Sequence, residues 1–145
     1  MAKVPLKSRE DLSEAGQQVF DKIAGTRGRA LNVFRALLNS PDTASAVAGL
    51  GEYIRYNSKL DPAVRETAIL ATARELGAEY EWAHHEPAAR EAGVRDAVIE
   101  SIRSGKAPMG LPPKEGVFVQ AAKELTRGTA LTDRTHQAIE HLLGP

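Results

Sequence analysis

Helix start and stop signals recur along the whole chain, and they constrain the fold more than any other feature of the sequence. Ser40-Pro41 and Asp61-Pro62 each place a capping side chain before a proline, which suits the first turn of a helix. Runs with strand periodicity are absent. Glycines follow the apolar-periodic runs, as they do where helices end; these are Gly25, Gly77, Gly93, Gly105 and Gly128. The sequence therefore predicts an all-α fold.

The expected architecture is an orthogonal or antiparallel bundle of about seven to eight helices around a central helix hairpin. The segment from Val64 to Leu76 is predicted as its central element, because residues 68–73 are apolar or small on almost every side. The other predicted helices are Leu12–Ala24, Leu31–Leu38, Pro41–Asn57, Glu79–Ala92, an amphipathic helix from Val94 that ends at Gly105, a helix that ends at Gly128, and Asp133–Leu143. A proline-rich loop is predicted at residues 106–113, and the helix after it is marked by its apolar residues Val117, Ala121, Ala122 and Leu125.

Length and charge narrow the function classes. The 145 residues predict one domain, 1–145, with one core. Lys and Arg together number 19 and so do Asp and Glu, which gives a formal net charge of zero. No basic excess is left to neutralise a phosphate backbone, so we expect no nucleic-acid partner. No apolar signal segment and no 18-residue apolar stretch occurs, so we expect no membrane association and a cytoplasmic location.

The chain contains no cysteine. This absence excludes disulfides, thiolate metal sites, thiol nucleophiles and dithiol redox chemistry together. Any chemistry must therefore come from other polar side chains.

The most informative polar residues lie on the two helices that Gly77 joins. Glu66 shares a helix stripe with apolar residues, so a carboxylate is placed on a face that is otherwise committed to the core. It needs a cationic or hydrogen-bonding partner, and His84 or His85 on the next helix can provide one. Glu81 and His85 are four residues apart and share a helix face. A carboxylate that orients an imidazole is the basic unit of acid/base catalysis near neutral pH.

Each of these residues also has a purely structural interpretation. Glu81 and His85 can form an ordinary exposed pair, and Glu66 can form a buried ion pair with an arginine. Aromatic residues such as Tyr80 and Trp82 line pockets but more often fill cores or interfaces. A metal site is not expected, because no HExxH or Cys/His set occurs.

Three segments carry a resemblance to a known family: Arg65-Glu66, Gly77-Ala78-Glu79-Tyr80-Glu81-Trp82-Ala83-His84-His85, and Ala88-Ala89-Arg90-Glu91-Ala92-Gly93. Together they resemble the carboxymuconolactone decarboxylase family, which is related to alkylhydroperoxidase D. The redox branch has Glu, eleven residues, Cys, two residues, Cys, three residues, His. That spacing falls here on Glu66, Ala78, Glu81 and His85. Both cysteines are replaced, which excludes a dithiol peroxidase, whereas Glu81 and His85 reproduce the Glu-x3-His pattern of the decarboxylase branch.

The resemblance implies an all-helical protein that assembles as a trimer or hexamer, has active sites near subunit interfaces and uses no cofactor. We therefore predict a cofactor-free acid/base enzyme whose substrate is a small carboxylated lactone or keto acid. His85 is the predicted acid/base, Glu81 sets its tautomer, and Glu66 moves a second proton or anchors a substrate hydroxyl. The residues predicted to shape the substrate pocket are Tyr80, Trp82 and His84. The alternative is a non-catalytic helical oligomer that has lost the redox cysteines of the family.

Overall fold

The computed structural model describes residues 3–128 and 130–144, and within these ranges the regular structure is entirely helical. The all-α prediction is therefore confirmed. The helices are α1 (Glu14–Arg27), α2 (Asn32–Leu37), α3 (Pro41–Glu52), α4 (Pro62–Glu75), α5 (Glu79–Glu91), α6 (Asp96–Ser104), α7 (Pro113–Arg127) and α8 (Asp133–Leu143). A short 3-10 helix (Arg9–Asp11) precedes α1, and a π-helical turn (Tyr53–Asn57) continues α3.

The chain divides into two compact units, with the boundary between Lys59 and Leu60. Each unit has its own cluster of buried apolar side chains. The prediction of one domain over residues 1–145 stays a prediction, and the two units are described separately below.

In the first unit, α1 and α2 both pack against α3. The N-cap of α1 is Ser13, whose side chain accepts a hydrogen bond from the Gly16 amide. The predicted end at Gly25 is wrong, because α1 continues to Arg27 and stops at Gly28, which has a φ of +75°. A glycine in a helix pattern is only a weak stop signal unless the backbone turns left-handed there. The buried cluster of this unit is Ile23, Leu38, Ala44 and Ala48.

In the second unit, α4 is the central element, as predicted, since it packs against α5, α6 and α7. Asp61 caps its N-terminus by accepting hydrogen bonds from the amides of Ala63 and Val64, and Pro62 occupies its first position. The last helix, α8, packs on α7. The buried apolar cluster of this unit is Leu70, Ala71, Ala89, Val94, Val98, Ile99, Ile102, Val119 and Ala122.

A tight turn joins α4 to α5 and sets the hairpin. Gly77 has a φ of +62°, and the amide of Ala78 donates to the carbonyl of Ala73 at 2.8 Å. The amide of Gly77 donates to the carbonyl of Arg74, which completes a Schellman motif. This turn folds α5 back onto α4, so residues of the two helices meet although they are distant in sequence.

Two further details of the predicted pattern differ in the structure. Leu125 is exposed, although its spacing from other apolar residues of α7 placed it on the inward face. Pro113 begins α7 instead of ending the preceding loop, which is the position where a missing N–H costs nothing. Among the described residues, no helix is both long and apolar enough to cross a membrane.

Candidate active site

The core of the candidate site is a contact between α4 and α5. The side chain of Glu66 on α4 is only 1% exposed, and its Oε2 lies 2.7 Å from Nδ1 of His85 on α5. The side chain of His85 is 13% exposed. Burial of a carboxylate is tolerated where hydrogen bonds and opposite charge replace water. The hairpin therefore brings together two residues that are nineteen positions apart in the chain.

Arg65 provides the second contact to the buried carboxylate. Its Nε donates to Oε1 of Glu66 at 3.1 Å, and its own side chain is 14% exposed. Sequence reasoning anticipated an arginine partner for Glu66 but did not identify which one. Neighbouring residues in a helix do not normally face each other, so adjacency was no signal. The long arginine side chain bridges this separation.

Glu81 lies on the open side of the imidazole. Its Oε2 is 3.6 Å from Nε2 of His85, which is within ion-pair range but too long for a hydrogen bond. The side chain of Glu81 is 42% exposed. The two nitrogens of His85 therefore face different surroundings: Nδ1 faces the buried Glu66, and Nε2 faces the exposed Glu81.

The two glutamates lie at different distances from the ring of His85, and the catalytic roles predicted for them stay predictions. The sequence predicted that Glu81 orients His85, because the two residues share a helix face. In the structure the short contact to the ring is made by Glu66. An ionised carboxylate only accepts hydrogen bonds; with Glu66 ionised, Nδ1 is therefore the nitrogen that carries the proton, and Nε2 of the neutral ring keeps a lone pair.

The described polar and cation–π contacts of Trp82 are made to Glu86 and Arg103 and not to His85. Nε1 of Trp82 donates to Oε2 of Glu86 at 2.7 Å, and the guanidinium of Arg103 lies 4.9 Å from its ring centroid. With Arg74 and Arg103 it lines a cavity of about 500 Å³ that does not include Glu66, Glu81 or His85. The structure therefore does not place Trp82 with the catalytic candidates.

Tyr80 and His84 contact each other on the surface of α5. Their ring centroids are 4.3 Å apart, and Nδ1 of His84 lies 3.1 Å from the carbonyl oxygen of Tyr80. Within the described ranges, no hydrogen bond, ion pair or ring contact joins either residue to His85. Their predicted part in substrate binding stays a prediction.

The carboxylate of Glu86 accepts hydrogen bonds from three side chains. It accepts from Arg90 at 2.7 Å and from Arg103 at 2.6 Å, in addition to Trp82. The hydrogen bond from Arg90, followed by those from Arg103 and Trp82, lowers the pKa of Glu86 to about 2. The hydrogen bond to Glu86 holds the indole of Trp82 in place and occupies its only polar atom, Nε1. The cluster therefore has a structural role.

None of the clusters in residues 3–128 and 130–144 groups three or more His, Asp or Glu side chains so that they could hold a metal ion. The groups that meet at the site are the carboxylates of Glu66 and Glu81, the imidazole of His85 and the guanidinium of Arg65. These groups can hold, donate and accept protons.

The sequence of this chain matches a known protein family. Residues 41–124 match the family model described as the carboxymuconolactone decarboxylase family. The chain belongs to this family. The match confirms the resemblance, and it extends from the start of α3 into α7, so it includes Glu66, Glu81 and His85. As a carboxymuconolactone decarboxylase family member without cysteine, it lacks the residues of the dithiol branch. No curated protein and no solved structure matches the chain.

Proposed function

We propose that this protein is a cofactor-free acid/base enzyme that acts on a small carboxylated lactone or keto acid, with His85 as the proton-transferring group. The observation that carries the proposal is the 2.7 Å contact between Nδ1 of His85 and the buried carboxylate of Glu66. A buried carboxylate on one ring nitrogen fixes the ring and its tautomer, while the other nitrogen stays available for a substrate.

In this proposal Glu66 is a positioning residue and not the carrier of a second proton. It accepts the hydrogen bond from Nδ1 of His85, and Arg65 holds its other oxygen. Nε2 of His85 then acts toward the exposed side of the pair. Glu81, at 3.6 Å, stabilises the imidazolium that forms when Nε2 takes a proton.

For a substrate whose carboxylate is β to a carbonyl, the steps balance without a cofactor. Nε2 of His85 first takes a proton from the solvent, which makes the ring an imidazolium. The bond between the carboxylate carbon and the α-carbon then breaks, CO2 leaves, and the electron pair of that bond forms an enolate. The imidazolium of His85 then gives the proton on Nε2 to the α-carbon and becomes neutral. The enolate charge is stabilised by a donor of fixed position, which here is the protonated Nε2 itself.

The predicted homo-oligomer, a trimer or hexamer as the resemblance implies, belongs to the same proposal. A second copy of the chain would complete the pocket on the side of His85 that faces Glu81, whose side chain is 42% exposed. Mass measurement in solution tests this part separately from the chemistry.

The test is a thermal-shift screen with small lactones, β-keto acids and dicarboxylates, run on the wild type, Glu66→Gln and His85→Asn. A ligand that binds the native state raises the melting midpoint. We expect some acids to raise the midpoint of the wild type and not that of the variants, and these acids then to release CO2 with the wild type. For such a substrate His85→Asn should lower the rate about 10²–10⁴-fold.

Glu86→Gln is the matched control, because it alters a carboxylate on another face of α5. It should keep both the ligand response and the CO2 release. The proposal is overturned if no compound shifts the wild type while Glu66→Gln and His85→Asn both melt markedly lower. That outcome would assign the pair to a packing role in a non-catalytic helical oligomer.

A further inference from the structure

A second cavity lies in the unit that begins at Leu60, away from the proposed acid/base site. Its volume is about 540 Å³, and Glu66, Glu81 and His85 are not among the residues that line it. This volume is in the range of small-molecule pockets, which is roughly 300–1,000 Å³. The loop after α6 forms one wall, and α7 and α8 form the others. The apolar lining includes Pro108, Leu111, Val117 and Ala138.

The loop wall is tied to α7 by a lysine. Nζ of Lys123 donates to the carbonyl oxygen of Gly105 at 3.0 Å and also to that of Lys106. The side chain of Lys123 is buried, so these two hydrogen bonds replace its hydration. The beginning of the loop is therefore held in place, and the cavity is formed before any ligand arrives.

The one carboxylate in the lining is held by neighbouring polar groups. Oε1 of Glu124 lies 2.8 Å from Thr135 Oγ1, 3.0 Å from Gln120 Nε2 and 3.2 Å from Thr132 Oγ1, and Oε2 accepts from the Thr132 amide at 2.8 Å. The hydrogen bond from the Thr132 amide, followed by that from Gln120, lowers the pKa of Glu124 to about 2.

The other charged residue in the lining is Arg134. Its side chain lines the same cavity. Among the described residues, no hydrogen bond or ion pair involves its guanidinium. The lining thus offers an unused cationic donor set beside an apolar wall.

We propose that this cavity binds a small carboxylic acid with an apolar body. The carboxylate pairs with the guanidinium of Arg134, which can bind it through two parallel hydrogen bonds. The hydrocarbon lies against Leu111, Val117 and Ala138. An anionic head group is favoured because the guanidinium of Arg134 has no hydrogen-bond or ion-pair partner among the described residues, whereas Glu124 already accepts from Gln120, Thr132 and Thr135.

The experiment compares three probes that share one tail: octanoate, 1-octanol and octylammonium, each titrated calorimetrically into the full chain. We expect octanoate to bind at least about tenfold more tightly than octylammonium, which is the effect of one charge-assisted hydrogen-bonded pair. Arg134→Gln should remove about tenfold of the octanoate affinity and leave 1-octanol unchanged.

Two further variants keep the result interpretable. Ala138→Phe fills the cavity and should weaken both octanoate and 1-octanol, while Arg29→Gln, an exposed arginine of the first unit, should change neither. Unchanged helical circular dichroism and an unchanged melting midpoint show that each variant is folded. His85→Asn should bind octanoate like the wild type, because this site is independent of the proposed function.

The proposal is overturned by equal affinity for the three head groups, by an Arg134→Gln variant that binds octanoate like the wild type, or by no binding of octanoate at millimolar concentration. Binding that His85→Asn abolishes would also overturn it, since the acid would then occupy the acid/base site.

Discussion

Two neighbouring residues of α5, His85 and Glu86, make carboxylate contacts that differ in burial. The comparison shows how burial changes the contribution of such a contact to stability. His85 reaches the buried Glu66 of α4, whereas Glu86, one position later, collects donors from Trp82, Arg90 and Arg103. Successive residues of a helix point about 100° apart, so one helix can present a buried pair and a surface cluster side by side. The contact between His85 and Glu66 is buried, whereas the arginines that contact Glu86 are partly exposed to water.

We expect burial to decide how much each cluster contributes to the free energy of unfolding. The arginines around Glu86 are 45–46% exposed, and pairs of this kind contribute little because water competes for both charges. Glu66 and its partners are at most 14% exposed, so water cannot replace a lost contact there. The following predictions break or sharpen this comparison.

The largest expected effect is that of Glu66→Ala. It removes the buried acceptor of the contacts from Nε of Arg65 and Nδ1 of His85, so the free energy of unfolding should fall by about 1–3 kcal/mol. Urea denaturation followed by circular dichroism measures it. A loss no greater than that of Glu86→Ala would contradict the claim that burial decides the cost.

A smaller effect is expected for Glu86→Ala. It removes only partly exposed ion pairs and the hydrogen bond from Trp82, so the free energy of unfolding should fall by about 1 kcal/mol or less. The emission of Trp82, the only tryptophan in the chain, should move to longer wavelength as its ring loosens from Glu86. Glu66→Ala, if folded, should leave this emission unchanged, which separates the two clusters.

The smallest effect is a pH dependence carried by Glu86. Its folded-state pKa is about 2, below the ordinary value of 4.5. Its contribution to stability is therefore fully present above about pH 4.5 and is lost as the pH falls from 4.5 through 2. The stability difference between wild type and Glu86→Gln should shrink over this window. A constant difference between pH 6 and pH 2 would show that the charge of Glu86 contributes nothing.

The helices could be predicted closely because their end signals are local. Asp61-Pro62 starts α4 and Thr132 caps α8, as the capping rules require. The prediction that α1 ends at Gly25 was wrong because glycine also occurs inside helices. Leu125 was wrongly expected on the inward face of α7. A periodic pattern cannot distinguish an inward face from an exposed one when the neighbouring helix is unknown.

The sequence was sufficient to name Glu66, Glu81 and His85 as candidates, but it was not sufficient to predict how they contact one another. Glu81 and His85 share a face by spacing alone, so their proximity followed from helix geometry. The stronger contact, Glu66 to His85, spans two helices and depends on how the turn at Gly77 sets them together. The hydrogen bond from Trp82 to Glu86 has the same i,i+4 spacing as Glu81 and His85, so helix geometry alone could have indicated it.

The sequence by itself determined the helical class, the helix starts, the exclusion of thiol chemistry and the residues that could act as acid or base. These follow from short-range geometry and from residue chemistry, which do not depend on neighbours. Only the tertiary structure decided that Glu66 and not Glu81 holds the imidazole, that Arg65 supports it, and that Arg134 lines an apolar cavity without a partner. Each of these depends on distances between helices, because a side chain is buried, paired or left unpaired only when a second element packs against it.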